Sequence, residues 1–185
     1  MHHALERTDQ LPATAEEWKY LPAWQVRSWP LIWQALTGSR TTRDTERIHE
    51  IYRHRLHLVT ELHRAGVRLM AGTDTGTGYL VPGFSLHGEL ELLAEAGLSP
   101  YDVLRTATAN PTRLLGLPRD AADLVILDPN PLRDIRHTRR IDAVVSAGRF
   151  IGGQERARLL AAVANAASRS EPPQGPTVVR TARCC

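Results

Sequence analysis

The sequence has almost no cysteine and almost no lysine. Its two cysteines, Cys184 and Cys185, are the last two residues, which excludes an internal disulfide framework or a cysteine-built metal site. Of 23 basic residues only Lys19 is a lysine, so the positive charge is carried by arginines scattered along the chain. No basic stripe or nucleic-acid reading motif accompanies them, and a formal charge of +3 is too small to imply such a partner. No run of 18 apolar residues exists, so no membrane-spanning helix is expected. The start lacks the charged and apolar regions of a signal peptide, and a cytoplasmic protein is the expectation. Aromatics make up 5% of the chain. What remains is 185 residues, 42% hydrophobic and 23% charged, enough for one domain with a buried core.

Those few aromatics are concentrated. Trp18, Trp24, Trp29 and Trp33 lie among Pro12, Pro22 and Pro30, so residues 1–40 read as an irregular segment with short helical pieces near 14–20 and 30–36. Clustered tryptophans anchor such a segment onto a larger body, or, as a second reading, line a pocket mouth. From about 43 to 65 apolar residues recur at helical spacing (Ile48, Ile51, Tyr52, Leu58, Val59, Leu62), with Thr42 and Asp44 at the start and Gly66 as the stop. The four histidines of this helix invite a metal reading. However, His49 and His54 are five residues apart and point about 140° from each other on a helix, so they cannot share an ion. A solvated basic face suits His54 and His57 better.

The stretch VRLMAGTDTGTG, residues 67–78, follows. Val67, Leu69 and Ala71 alternate with Arg68 and Met70, predicting a strand over 67–71 that ends in a glycine-rich turn carrying Asp74. A helix leading into a strand is an α-then-β step of a parallel fold. A carboxylate just past such a strand lies where these sheets place their chemistry. The loop GTGYLVPGFS then suits a flap over a site. Three helices come next: one capped by Ser85 and ended by Gly97, one opened by Ser99, Pro100 and Asp102, and one opened by Asn110 and Pro111 and stopped by Gly116. The segments 123–128 and 141–148 read as strands, 149–151 as the return of a hairpin, and 154–168 as a last helix. A Pro-rich tail closes the chain and is expected to be disordered.

The runs AGTDTG, PGFSLHGELELLAEAGLSPYDVLRTATANPTRLLGL and ADLVILDPNPLRDIRHTRRIDAVVSAGR together resemble the C-terminal part of the amidohydrolase superfamily, over about residues 62–152. The likeness is to imidazolonepropionase-like and prolidase-like metal-dependent hydrolases. It implies an α/β fold: the C-terminal fragment of a TIM-type (β/α)₈ barrel with remnants of a small β-sandwich. The expected division is an irregular segment (1–40), last barrel units (41–117), sandwich strands (118–153), a helix (154–168) and the tail (169–185). The resemblance further implies hydrolysis of carbon–nitrogen bonds in a small amide, cyclic amide or dipeptide substrate, with one or two divalent metals, Zn²⁺ first among them.

Within this likeness Asp74 matches the carboxylate that binds metal and takes a proton from the attacking water, so it is the expected catalytic and metal residue. A carboxylate beside a metal-bound water suits that task, because the metal lowers the water's pKa to about 7. His87 matches a position that is not a ligand, while Thr73, Thr75 and Tyr79 fall near the pocket mouth by position alone. The family's His-x-His pair, carboxylated lysine or glutamate, and two later histidines have no counterpart here. His2 and His3 are adjacent and project differently from such a pair. A barrel takes about 250 residues, and a further strand and Gly-Lys turn are missing at 118–123. The expectation is therefore a truncated chain, inactive alone and binding metal poorly, since zinc usually needs three protein ligands. The alternative is a non-catalytic interaction protein or subunit, with a partner chain or homo-oligomer covering its exposed sheet edges.

Overall fold

Local punctuation sets most of the helices. A computed structural model describes residues 15–76, 78–117 and 123–172; the tail beyond 172, most of the 118–123 junction and the His2–His3 pair lie outside them. A 3₁₀ turn, Glu16–Tyr20, leads into α1, Ala23–Thr37. This helix corrects the expectation of short pieces, because it runs straight through Pro30. An interior proline forfeits one backbone hydrogen bond at a cost of about 3 kcal/mol. Ring packing offsets that loss: Trp29 is buried, and Trp33, one turn on, lies on the same face.

Helix α2, Thr42–Arg64, opens with a capping box one residue earlier than read from sequence. Thr41 Oγ1 accepts from Asp44 N–H, and the Asp44 carboxylate accepts from Thr41 N–H at 2.9 Å. Its expected buried face is only partly so. Ile48, Tyr52, Leu56, Val59 and His63 form the half-buried stripe, while Ile51, Leu58 and Leu62 face outward.

Helix α3, Phe84–Glu95, is capped by Gly83 rather than Ser85. The Ser85 hydroxyl instead accepts from Val81 N–H at 2.8 Å, bracing the loop before the helix. Gly97, at φ 94°, turns the chain after it, a dihedral that glycine adopts without penalty. Helix α4, Pro100–Ala107, starts as the sequence predicts, with Ser99 Oγ accepting from Asp102 N–H at 3.2 Å and proline in the first turn. Helix α5, Ala109–Leu114, follows directly. Asn110 does not cap it; its side-chain amide donates to Leu69 O at 2.8 Å.

The strands β1 (Leu124–Leu127), β2 (Ile141–Ser146) and β3 (Arg149–Ile151) form one antiparallel sheet in that order. Leu124 faces Val145 and Ile126 faces Ala143, with an irregularity before Leu127. Between β1 and β2 a 3₁₀ turn, Ile135–Arg139, which sequence periodicity does not signal, drops Ile135 into the core. Helix α6, Gly153–Arg169, completes the described chain. The core gathers Leu90, Leu93, Ala96, Leu98, Val103 and Ile135, with Leu56, Val59, Leu69 and Ala71 packed against it.

A further sequence expectation fails. Residues 67–71 form no strand. Their half-buried Leu69, Ala71 and Thr73 still alternate with exposed Arg68, Met70 and Asp74, so the period-two pattern survives. What is missing is a neighbour: among the described residues the only sheet is β1–β2–β3, and a strand exists only where another supplies its hydrogen bonds. The α-then-β step read from this segment therefore has no β half here.

Candidate functional site

Segment 67–72 is held in place by hydrogen bonds to the neighbouring helices. Gly66, at φ 78°, ends α2, and Val67 N–H donates to Leu62 O at 3.0 Å. Asn110 then holds Leu69 O, and Ala71 N–H donates to Thr106 O at 3.0 Å. Thr106 is itself buried, its hydroxyl donating to Val103 O at 2.6 Å. The Glu89 carboxyl of α3 lies toward the Gly72 N–H, which favours its charged form. Side chain and backbone thus do for this segment what flanking strands do in a sheet.

Asp74 stands two residues beyond Gly72, exposed, with φ 50°. Asp is one of the few L-residues that visit this left-handed region readily, so the turn suits the residue that occupies it. Gly76 follows at φ 119°.

Tyr79, at φ 67°, is the second residue of the loop in that region. Its ring meets Trp29 at 5.2 Å between centroids, Trp33 at 5.8 Å edge-on and Trp18 at 6.0 Å. Trp18 and Trp29 also meet each other edge to face at 5.4 Å. Such pairs contribute about 0.5–1.5 kcal/mol each beyond the area they bury. Gly78 passes so close that a Cβ there would lie 3.3 Å from Trp29 Cδ1. Burial raises the Tyr79 phenol above its usual pKa. Three of the four tryptophans pack on the loop after Asp74, as the anchoring reading expects, and Trp18 also lines a cleft.

Glu89 has no assigned role in the sequence reading, although a signal existed. It falls on the core-facing stripe of α3, three residues after Leu86 and four before Leu93, where a charged residue is unusual. Its half-buried carboxyl has a raised pKa because burial disfavours the charge, and the Gly72 N–H partly opposes that rise.

His87, two residues earlier on α3, points to the 3₁₀ turn between β1 and β2. Its Nδ1 lies 3.0 Å from Thr138 Oγ1, whose proton is donated to Ile135 O at 2.9 Å. Because that hydroxyl has one proton, His87 Nδ1–H must be the donor, which fixes the tautomer. Burial lowers the His87 pKa, the nearby Arg139 charge lowers it further, and Glu91 opposes both. Arg139 Nε donates to Glu91 at 2.6 Å. His87 is therefore a fastener between α3 and the 3₁₀ turn.

Among the described residues no group of three or more His, Cys, Asp or Glu lies close enough together to hold a metal. His49, His54 and His57 are exposed, and His63 faces Asp102 at 3.7 Å. The described residues therefore do not fit a resident metal by themselves. A shallow cleft of about 390 Å³ lies elsewhere, between the Trp18–Arg27 region and Ala164–Ser168 of α6, and Asp74 does not line it. No helix among the described residues is long and apolar enough to cross a membrane.

A carboxylate-bearing turn braced by helices, followed by a small antiparallel sheet, defines a mixed, helix-rich fold. Comparison with protein families matches residues 26–151 to the amidohydrolase family. With some two thirds of its residues matched, the chain belongs to the amidohydrolase family. Among solved structures it is similar to a bottromycin amidohydrolase, at 26% identity and TM-score 0.70, over 84% of this chain and 36% of that one. It is also similar to a putative prolidase from Bifidobacterium longum, at 33% identity and TM-score 0.52, over 72% of this chain and 35% of that one. The chain thus spans about a third of the length of these structures. No curated protein sequence matches it significantly.

Proposed function

We propose that this chain contributes the Asp74 carboxylate to the active site of a metal-dependent amidohydrolase that cleaves a carbon–nitrogen bond in an amide, cyclic amide or dipeptide. The family match across residues 26–151, which includes the Asp74 turn, carries this reading. In chemical terms an exposed carboxylate on a braced turn can accept a proton from water attacking a carbonyl carbon. The metal, Zn²⁺ first among the family's choices, and its other ligands come from outside the described residues. The described helices correspond, in this proposal, to the last units of a (β/α)₈ barrel, and the β1–β3 sheet to part of a β-sandwich. The chain alone is inactive.

The test joins the full chain with the polypeptide encoded immediately upstream and assays a panel of dipeptides, amides and cyclic amides with Zn²⁺ added. Turnover should appear only in the joined protein, and Asp74→Asn should lower it by about 10²–10⁴-fold, the usual worth of a positioned acid–base group. Undiminished turnover in Asp74→Asn, or stoichiometric tight zinc and hydrolysis by the chain alone, would refute the proposal.

A second reading, that of a non-catalytic subunit completed by a partner chain or a second copy, draws support from the sheet. Leu124, Val125 and Ile126 of β1 are 59%, 57% and 42% exposed, so the strand offers apolar side chains on both faces. Exposed apolar edges of this kind mark contact surfaces. Sedimentation analysis decides here: a monodisperse, thermally robust monomer would dispose of this second reading.

A further inference from the structure

We infer that Tyr79 is a positioning residue for Asp74, clasped by Trp18, Trp29 and Trp33 so that the N-terminal segment sets the geometry of the carboxylate turn. The inference rests on the role proposed above for Asp74 and adds to it the residues that hold that carboxylate in place.

Tyr79, five residues after Asp74 in the same loop, occupies left-handed backbone at φ 67°, a conformation uncommon for a bulky residue. Such conformations persist only where the surroundings over-determine them. On the upstream side the turn is fixed by hydrogen bonds at Leu69 and Ala71. Downstream, Val81 N–H donates to Ser85 Oγ, but before that point the contacts that grip Gly78 and Tyr79 are aromatic. They come from a segment some fifty residues earlier: Trp29, on which Gly78 packs, and the Trp18 and Trp33 edges around the Tyr79 ring. Trp29 is 3% exposed, so its side is a rigid wall. Trp29 and Trp33 are one turn apart on α1, which explains why a helix that tolerates Pro30 is retained there: its register presents both rings to the same loop.

Hydrogen exchange on the full chain without substrate tests this. Tyr79→Leu should speed exchange of the 72–76 amides about tenfold, equivalent to about 1.4 kcal/mol, while the Leu90–Val103 amides keep their protection. Tyr79→Phe, which retains the ring, should restore the wild-type pattern, and Trp33→Leu should reproduce the Leu effect from the other side of the contact. Unchanged exchange at 72–76 would overturn the inference. So would acceleration shared equally by Leu90–Val103, since Tyr79 would then support the whole fold and not the turn. If Tyr79→Leu does not fold, Gly78→Ala replaces it. Its Cβ pushes against Trp29, and the same local acceleration is expected, with a uniform pattern refuting the clasp. Because exchange is read without turnover, its failure is distinct from a failure of Asp74→Asn to reduce hydrolysis.

Discussion

Replacing Thr138 with valine should loosen the sheet from the helices by an amount the structure allows to be worked out. Thr138 is 5% exposed, and its hydroxyl makes two hydrogen bonds, accepting from His87 Nδ1–H at 3.0 Å and donating to Ile135 O at 2.9 Å. Valine keeps the shape and removes both. Each net bond contributes about 0.5–1.5 kcal/mol, and a partner left unsatisfied in a half-buried place adds its desolvation cost. The expected loss is about 2 kcal/mol. For a chain of this size that lowers the melting temperature by about 4–8 °C. A double-mutant cycle with His87→Leu should return a coupling of about 1 kcal/mol, since both changes remove the same bond. Urea denaturation at pH 8 measures all three variants with His87 neutral. A cost for Thr138→Val below about 0.5 kcal/mol, within the range of an ordinary surface change, would refute the reasoning, as would a coupling of zero.

The same contact predicts a pH dependence. Burial holds the His87 pKa below 6.5 in the folded state, so the unfolded chain takes up the proton first as pH falls. Stability is therefore intact above about pH 6.5 and declines as pH drops through the window beneath it. His87→Asn keeps a donor for Thr138 and cannot titrate, so denaturation midpoints measured from pH 7.5 to 5 should be flatter in that variant; an unaltered slope would show that His87 is not the group responsible. In the core, Leu93→Ala should cost about 2–5 kcal/mol, because Leu93 is 8% exposed among Leu90, Leu98 and Val103. Thermal unfolding checks this against Leu114→Ala, a change at a residue 66% exposed that should leave stability nearly as it was.

Local chemistry made much of this chain legible. Ser99, Pro100 and Asp102 start a helix wherever they occur, because the cap bonds are made within one turn. Gly97 and Gly116 end helices for an equally local reason, their positive φ. The strands after residue 123 and the final helix lie where periodicity puts them. The family, too, was legible from the run of residues around and after Asp74, and the match over 26–151 agrees with it.

Other features depended on partners distant in the chain. The alternation over 67–71 specifies which side chains turn inward but cannot supply a neighbouring strand, so the segment hangs on Asn110 and Thr106 instead. Proline at position 30 argues against a helix until Trp29 and Trp33 find Tyr79 across the fold. Glu89 looks like a misplaced charge on an apolar stripe until Gly72 N–H appears before it. The sequence by itself determined most of the helices, several of their ends, the family and the candidate carboxylate, because those follow from interactions within a few residues or from the order of motifs. Tertiary structure alone decided how the Asp74 turn is held, because the aromatic rings and hydrogen-bonding side chains that hold it meet only when segments tens of residues apart pack together.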